Sequence, residues 1–295
     1  MTARMEPGAT AAASRGRPWP GQDRSAGIPS RGDEAGHAGL LAHDLHRAGP
    51  AGSPTLLLIH PLGADRGFWD DCLAIWRPAI SCLAVDLRSA GRSPRADGPA
   101  TVARHVADLE TLRTALGIAT VAPVGCAVGA MVAAAYAAAC PRSIHSLVLA
   151  NAAWRTSEAA AGMLRQRAAL VRARGMAALL PEAVDRAFLD QPDDERRARY
   201  ATRFAAQDAE AYAQSALGAA AADVSAELAA LRCPTLVAAG ARDVLLPPAE
   251  QAREVHARVA GARFVLFEEA AHFIPYQQPE RFARLVLDFV AGRRP

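Results

Sequence analysis

The sequence predicts an α/β protein: a mostly parallel sheet flanked by helices, with a helical lid inserted after a central strand. Three observations carry this. Short, continuous apolar runs such as Thr55-Leu56-Leu57-Leu58-Ile59 alternate with helical stretches, the pattern of strands buried on both faces of a parallel sheet. One of these runs breaks at Gly125-X-X-X-Gly129 straight into an Ala-rich helix. After Asn151 the alternation stops for about 80 residues and resumes at Cys233.

Composition sets the frame for those elements. With 295 residues, 51% of them hydrophobic and 21% charged, the chain can bury the core of one large α/β domain. The net charge is +3, and all 33 basic residues are Arg, scattered along the chain. That excludes a phosphate-tracking nucleic-acid binder and favours a small-molecule partner. The five cysteines, Cys72, Cys82, Cys126, Cys140 and Cys233, form no C-x-x-C pair. A reducing cytoplasm is the simplest setting for them, and neither a metal nor a cofactor is expected. Because no apolar run reaches the roughly 18 to 20 residues that cross a bilayer, no membrane role is expected.

The elements follow in chain order. Residues 1–38 are rich in Arg, Pro, Gly and Ser without hydrophobic periodicity and are expected to be a disordered extension. Leu40 to His46 suits edge strands, and Thr55 to Ile59 the first buried strand, ending at His60-Pro61-Leu62-Gly63. Ser81 to Asp86 repeats the strand pattern and enters the turn Asp86-Leu87-Arg88-Ser89-Ala90-Gly91. Thr101 to Leu116 carries Val102, Val106, Leu109, Leu112 and Leu116 at helical spacing and stops at Gly117. A strand from Thr120 to Val124, the Ala-rich helix and a strand from His145 to Asn151 complete the first half.

Four helices are expected next, over Ser157–Gly175, Met176–Asp190, Asp193–Gln207 and Asp208–Ala222. Strands at Cys233–Gly240 and Arg263–Phe267 then enclose a helix from Pro248 to Val259. A loop through Ala271-His272-Phe273 precedes a closing helix from Pro279 to Val290. Residues 39–153 and 223–295 are thus read as the core and 154–222 as the cap, placed where ligands enter open α/β sheets.

The Gly125-Cys126-Ala127-Val128-Gly129 break has the spacing of a nucleophile elbow, G-x-S-x-G, with Ala127 where the nucleophilic Ser would stand. Chain order for a triad in this architecture runs nucleophile, acid, histidine, which selects Asp243 at a turn after a strand and His272 in a loop after the next. The oxyanion hole would use the backbone N–H groups of Leu62 and Val128, donors that outlast the loss of a Ser side chain. Cys126 stands one residue early and should point into the protein, and His60 reads as a loop organiser. For Asp243 a competing role is capping the turn toward Pro248.

With these residues in place the chain resembles the α/β-hydrolase superfamily from about Leu40 to Val290. Within it, the chain is most similar to 3-oxoadipate enol-lactonases, which open a carboxylate-bearing enol-lactone in aromatic catabolism. The similarity rests on Ile59-His60-Pro61-Leu62-Gly63-Ala64-Asp65-Arg66-Gly67-Phe68-Trp69-Asp70, Asp86-Leu87-Arg88, the elbow, Ser146 to Ala153, Arg174 to Leu179, Gly261 to Phe264 and Ala271-His272-Phe273. Two positions depart from the family pattern: Arg88-Ser89-Ala90-Gly91 replaces its Arg-Gly-His-Gly turn, and Ala127 replaces its Ser. An anionic lactone implies a cation, for which Arg155 beside Trp154 is the candidate.

Two functions are compatible with Ala127. One is hydrolysis of a small ester or enol-lactone by water that His272, oriented by Asp243, activates directly; some relatives linked to aminoacrylate breakdown look similar in carrying Ala here. The other is a catalytically inactive ligand-binding or regulatory protein.

Overall fold

The structure, a computed structural model, describes residues 40–50, 52–247 and 250–293. The expected N-terminal extension and the first residues of the helix expected from Pro248 lie outside them. Seven strands form one sheet: β1 (His43–His46), β2 (Thr55–Ile59), β3 (Cys82–Val85), β4 (Val121–Cys126), β5 (Leu147–Ala150), β6 (Thr235–Gly240) and β7 (Arg263–Phe267), in the spatial order β1-β3-β2-β4-β5-β6-β7. Every pairing is parallel except that of β1, which runs antiparallel to β3 at the edge.

Side-chain alternation explains the two-sided burial. Leu56 and Leu58 enter one hydrophobic cluster, with Trp69, Trp76 and Phe282, while Leu57 and Ile59 enter the other, with Leu109, Leu112 and Tyr136. Strand β2 therefore feeds both faces, which is why its sequence run reads as continuously apolar.

The helices between strands are α1 (Asp70–Trp76), preceded by a single 3-10 turn at Arg66–Trp69, then α2 (Val102–Ala115) and α3 (Val128–Ala139). Thr101 caps α2 by accepting the Arg104 N–H. Beyond β5 come α4 (Glu158–Arg174), α5 (Glu182–Ala187), α6 (Glu195–Ala205) and α7 (Ala209–Ala220). Ser157, Asp194 and Asp208 cap the N-termini of α4, α6 and α7. The helix expected over Met176–Asp190 is broken: a 3-10 turn at Met176–Leu179 precedes Pro181, whose ring keeps the residue before it out of helical backbone.

Further elements carried too few periodic residues to stand out in the sequence: α8 (Ser225–Ala230) and, after α9 (Ala252–Arg258), the four-residue α10 (Ile274–Gln277). The closing helix α11 (Pro279–Val290) has the expected bounds. Among the described residues no helix is long and apolar enough to cross a membrane, and no cluster of His, Cys, Asp and Glu is arranged to hold a metal.

Candidate active site

The site forms where β4, β5, β6 and β7 end. Strand β4 turns into α3 within one residue, and that residue, Ala127, sits at φ 52° and ψ −117°. The turn is this tight because both flanking glycines are crossed by backbone. A Cβ on Gly125 would lie 2.2 Å from the Gly129 carbonyl oxygen, and one on Gly129 would lie 2.4 Å from that of Ile59. Neither distance is tolerable for a side chain, so the G-x-x-x-G spacing is imposed by packing. Ala127 is held in addition by its N–H to the Ala150 carbonyl, 2.9 Å, and is 5% exposed.

Asp243 and His272 follow the ends of β6 and β7. The His272 ring places Nδ1 3.0 Å from Asp243 Oδ2 and 3.1 Å from Oδ1. Asp243 is fixed from three further directions: its Oδ1 accepts the N–H groups of Leu245 and Leu246, both at 2.9 Å, and its Oδ2 accepts Asn151 Nδ2 at 2.9 Å. Asp243 therefore both holds its own turn and contacts the imidazole. With Nδ1 committed to the carboxylate, Nε2 is the nitrogen left to exchange a proton in the cavity.

Asn151, itself at φ 47°, also donates to the Ala271 carbonyl (3.0 Å) and accepts the Ile274 N–H (3.3 Å). It thereby pins both Asp243 and the loop that carries His272. Gln277 completes the frame, accepting the Ala271 N–H at 2.8 Å and donating to the Ala187 carbonyl at 3.0 Å. Ala187 in turn accepts the His272 N–H, 3.3 Å, which ties the loop to α5. Sequence reasoning gave neither residue this role. Asn151 left the signal of a polar residue ending a fully apolar central strand; Gln277 left none.

A cavity of about 330 Å³ opens over Ala127 and His272, within the range of small-molecule sites. Leu62 and Val128 both line it. Neither of their N–H groups donates to an acceptor among the described residues, so the two expected oxyanion donors are uncommitted. Tyr200, Phe204, Tyr212 and Phe273 supply an aromatic wall.

The charge in the lining is uneven. Arg155, Arg167 and Arg186 face one carboxylate, Glu250. Arg167 and Arg186 lie on α4 and α5, are half-buried, and form no ion pair among the described residues. The expectation that Trp154 and Arg155 both touch substrate divides here. Arg155 lines the cavity, but the Trp154 ring does not; it is held between the guanidinium groups of Arg155 (4.2 Å) and Arg258 (4.1 Å) and packs on the opposite hydrophobic cluster.

Two sequence readings are met by the geometry. Cys126 is fully buried, and burial, reinforced by the nearby Asp243, drives its thiol far above the usual range, so it is no thiolate nucleophile. His60 organises its loop: Nδ1 meets the Pro61 carbonyl at 2.8 Å, and Nε2 accepts the Leu87 N–H at 3.0 Å. The neighbouring turn is wrapped around Asp86, which accepts the N–H groups of Arg66 and Arg92 and pairs with the Arg66 guanidinium.

This strand order, elbow and acid–histidine pair define a hydrolase-type α/β protein. The model of the alpha/beta hydrolase family matches residues 56–285, and the chain belongs to that family. It is 33% identical over 263 residues to RutD of Pseudomonas savastanoi pv. phaseolicola, provisionally named a carbamate hydrolase; the match covers 85% of this chain and 98% of the relative. It is 28% identical over 243 residues to 3-oxoadipate enol-lactonase 2 of Acinetobacter baylyi, covering 81% and 89%. Among solved structures, the enol-lactonase of Burkholderia xenovorans superposes with a TM-score of 0.79 at 28% identity, covering 85% of this chain and 96% of that one. A thermophilic esterase from Thermogutta terrifontis, solved with malate bound, gives 0.78 at 28% identity, covering 85% and 93%.

Proposed function

We propose that the chain hydrolyses a small, carboxylate-bearing ester or enol-lactone by direct attack of water. The observation that carries the reading is the His272–Asp243 pair, assembled at hydrogen-bond distance beside an elbow that lacks a hydroxyl. Water held by His272 Nε2 attacks the carbonyl carbon and gives its proton to that nitrogen. The carbonyl oxygen takes up the negative charge and is held by the N–H groups of Leu62 and Val128. When the tetrahedral adduct collapses, the bond to the leaving oxygen breaks and His272 returns the proton to it. No acyl-enzyme forms.

Asp243 holds the imidazole tautomer and stabilises the imidazolium throughout. The inserted helices α4 to α7 act as the cap. Arg155, Arg167 and Arg186 supply the cationic surface for the substrate's carboxylate, and the enol-lactonase relatives together with the malate-bound esterase support an anionic substrate. Losing a triad still leaves roughly 10³ to 10⁴ in rate over water from the oxyanion hole and binding. That suits an activated enol-lactone and not an unactivated amide.

The test is hydrolysis of 3-oxoadipate enol-lactone and of an activated ester by the unaltered protein, by Ala127→Ser and by His272→Ala. Turnover by the unaltered protein that vanishes in His272→Ala is the expected result. Turnover only in Ala127→Ser would replace this reading with that of a ligand-binding protein which keeps the site's shape.

A further inference from the structure

Behind the oxyanion loop lies a second, much smaller chamber. Its volume is about 20 Å³, and it shares Leu62, Val128 and Ala219 with the reaction cavity while lying on the side of His60, Ser89 and α2. A chamber needs about 10 to 15 Å³ to admit one water molecule, so this one has room for a water.

The polar side chains in its wall are accounted for, with two exceptions. His60 has both ring nitrogens bonded. Ser89 Oγ donates to Gln214 Oε1 at 2.8 Å and accepts the Ala96 N–H at 2.9 Å, while Ser215 Oγ donates to the Ser89 carbonyl at 3.1 Å. The two exceptions are His105 Nδ1 and Gln207 Nε2, both buried and both without a partner. A buried polar atom left unsatisfied is costly, so two in the wall of one chamber call for a shared explanation.

Their chemistry is complementary. Burial, with His60 nearby, pushes the His105 pKa down to about 4. It is therefore a neutral imidazole near pH 7, and in the tautomer protonated at Nε2 its Nδ1 presents a lone pair. Gln207 Nε2 presents N–H groups. One orphan is an acceptor, the other a donor, and a water molecule is both.

We propose that this chamber is a binding site for one water molecule, which donates to His105 Nδ1, accepts from Gln207 Nε2, and so latches the inserted helices to the core behind Leu62 and Val128. Gln207 stands between α6 and α7, whereas His105 belongs to α2. The water thus joins two parts of the chain that are about a hundred residues apart. It backs the loop carrying the Leu62 N–H, and its presence does not depend on what reaction the cavity performs.

The test has two arms. A high-resolution crystal structure of the full chain should show a single ordered density peak within hydrogen-bond distance of both His105 and Gln207. Thermal unfolding of His105→Leu, Gln207→Leu and the double variant supplies the second arm. Each single change should lower Tm by several degrees, since it strips the water of one partner, and the double variant should fall no further than the worse single, because an apolar chamber no longer needs the water. An empty chamber in the unaltered protein overturns the proposal. So do losses that simply add in the double variant, since they would mean that the two residues share no bridging partner.

Discussion

Two histidines stand on opposite sides of the wall formed by Leu62 and Val128, and their surroundings differ in one decisive respect. His272 lines the reaction cavity with its Nδ1 on a carboxylate that three other donors hold in place. His105 lines the small chamber with no carboxylate bonded to its ring among the described residues; Asp108, whose charge reaches it, is engaged by Arg88 at 2.6 and 2.8 Å. Burial is similar for the two rings, 9% and 5% exposed. The contrast teaches that depth alone does not define a histidine's surroundings: the His272 ring has a carboxylate partner, whereas burial without one holds the His105 ring neutral.

The comparison can be broken most severely at His272. His272→Ala should reduce kcat by about 10² to 10⁴, the usual contribution of a positioned base, whereas His105→Leu should leave kcat within a few-fold. Comparable losses in the two variants would erase the distinction.

Acid should affect the other ring. Free His titrates near 6.5, and folded His105 near 4, so between those values the unfolded chain binds the extra proton and the folded chain does not. Stability must then fall as pH drops from about 6.5 toward about 4, by about 3 kcal/mol in all. Urea unfolding across that range should show the slope in the unaltered protein and a shallower one in His105→Leu; identical slopes would contradict the assignment. His60 and Arg88 oppose charge on this ring and Asp108 favours it, so both variants must keep those three residues.

The smallest effect is expected at Asn151, which acts on His272 only through Asp243 and the His272 loop. Asn151→Ala should lower kcat about tenfold, roughly 1.4 kcal/mol of transition-state stabilisation, and broaden the pH profile of kcat without changing KM. A change in KM alone would assign Asn151 to the binding surface instead.

Much of this was legible in the chain. The strands at Thr55–Ile59 and Arg263–Phe267 and the helix at Pro279–Val290 have the bounds that their runs of apolar residues imply, because burial on both faces, or on one helical face, leaves an unbroken signature. The pairing of Asp243 with His272 was legible from chain order. What escaped was non-local. Asn151 and Gln277 act through bonds to residues 92 and 90 positions away, which no spacing rule reaches. Arg167 and Arg186 look like ordinary surface residues of Arg-rich helices until the fold turns them to the cavity, and Trp154 looks like a pocket residue until the fold seats it between two guanidinium groups.

Ala127 sits in a backbone posture that L-residues adopt at a cost of about 1 to 3 kcal/mol, and it sits there because of Gly125 and Gly129 rather than because of its own side chain. The posture is thus inherited separately from the hydroxyl. Alanine and serine codons of the GCN and UCN sets differ in a single first base, so one transversion would set an alcohol at the tip of α3 beside an imidazole already oriented.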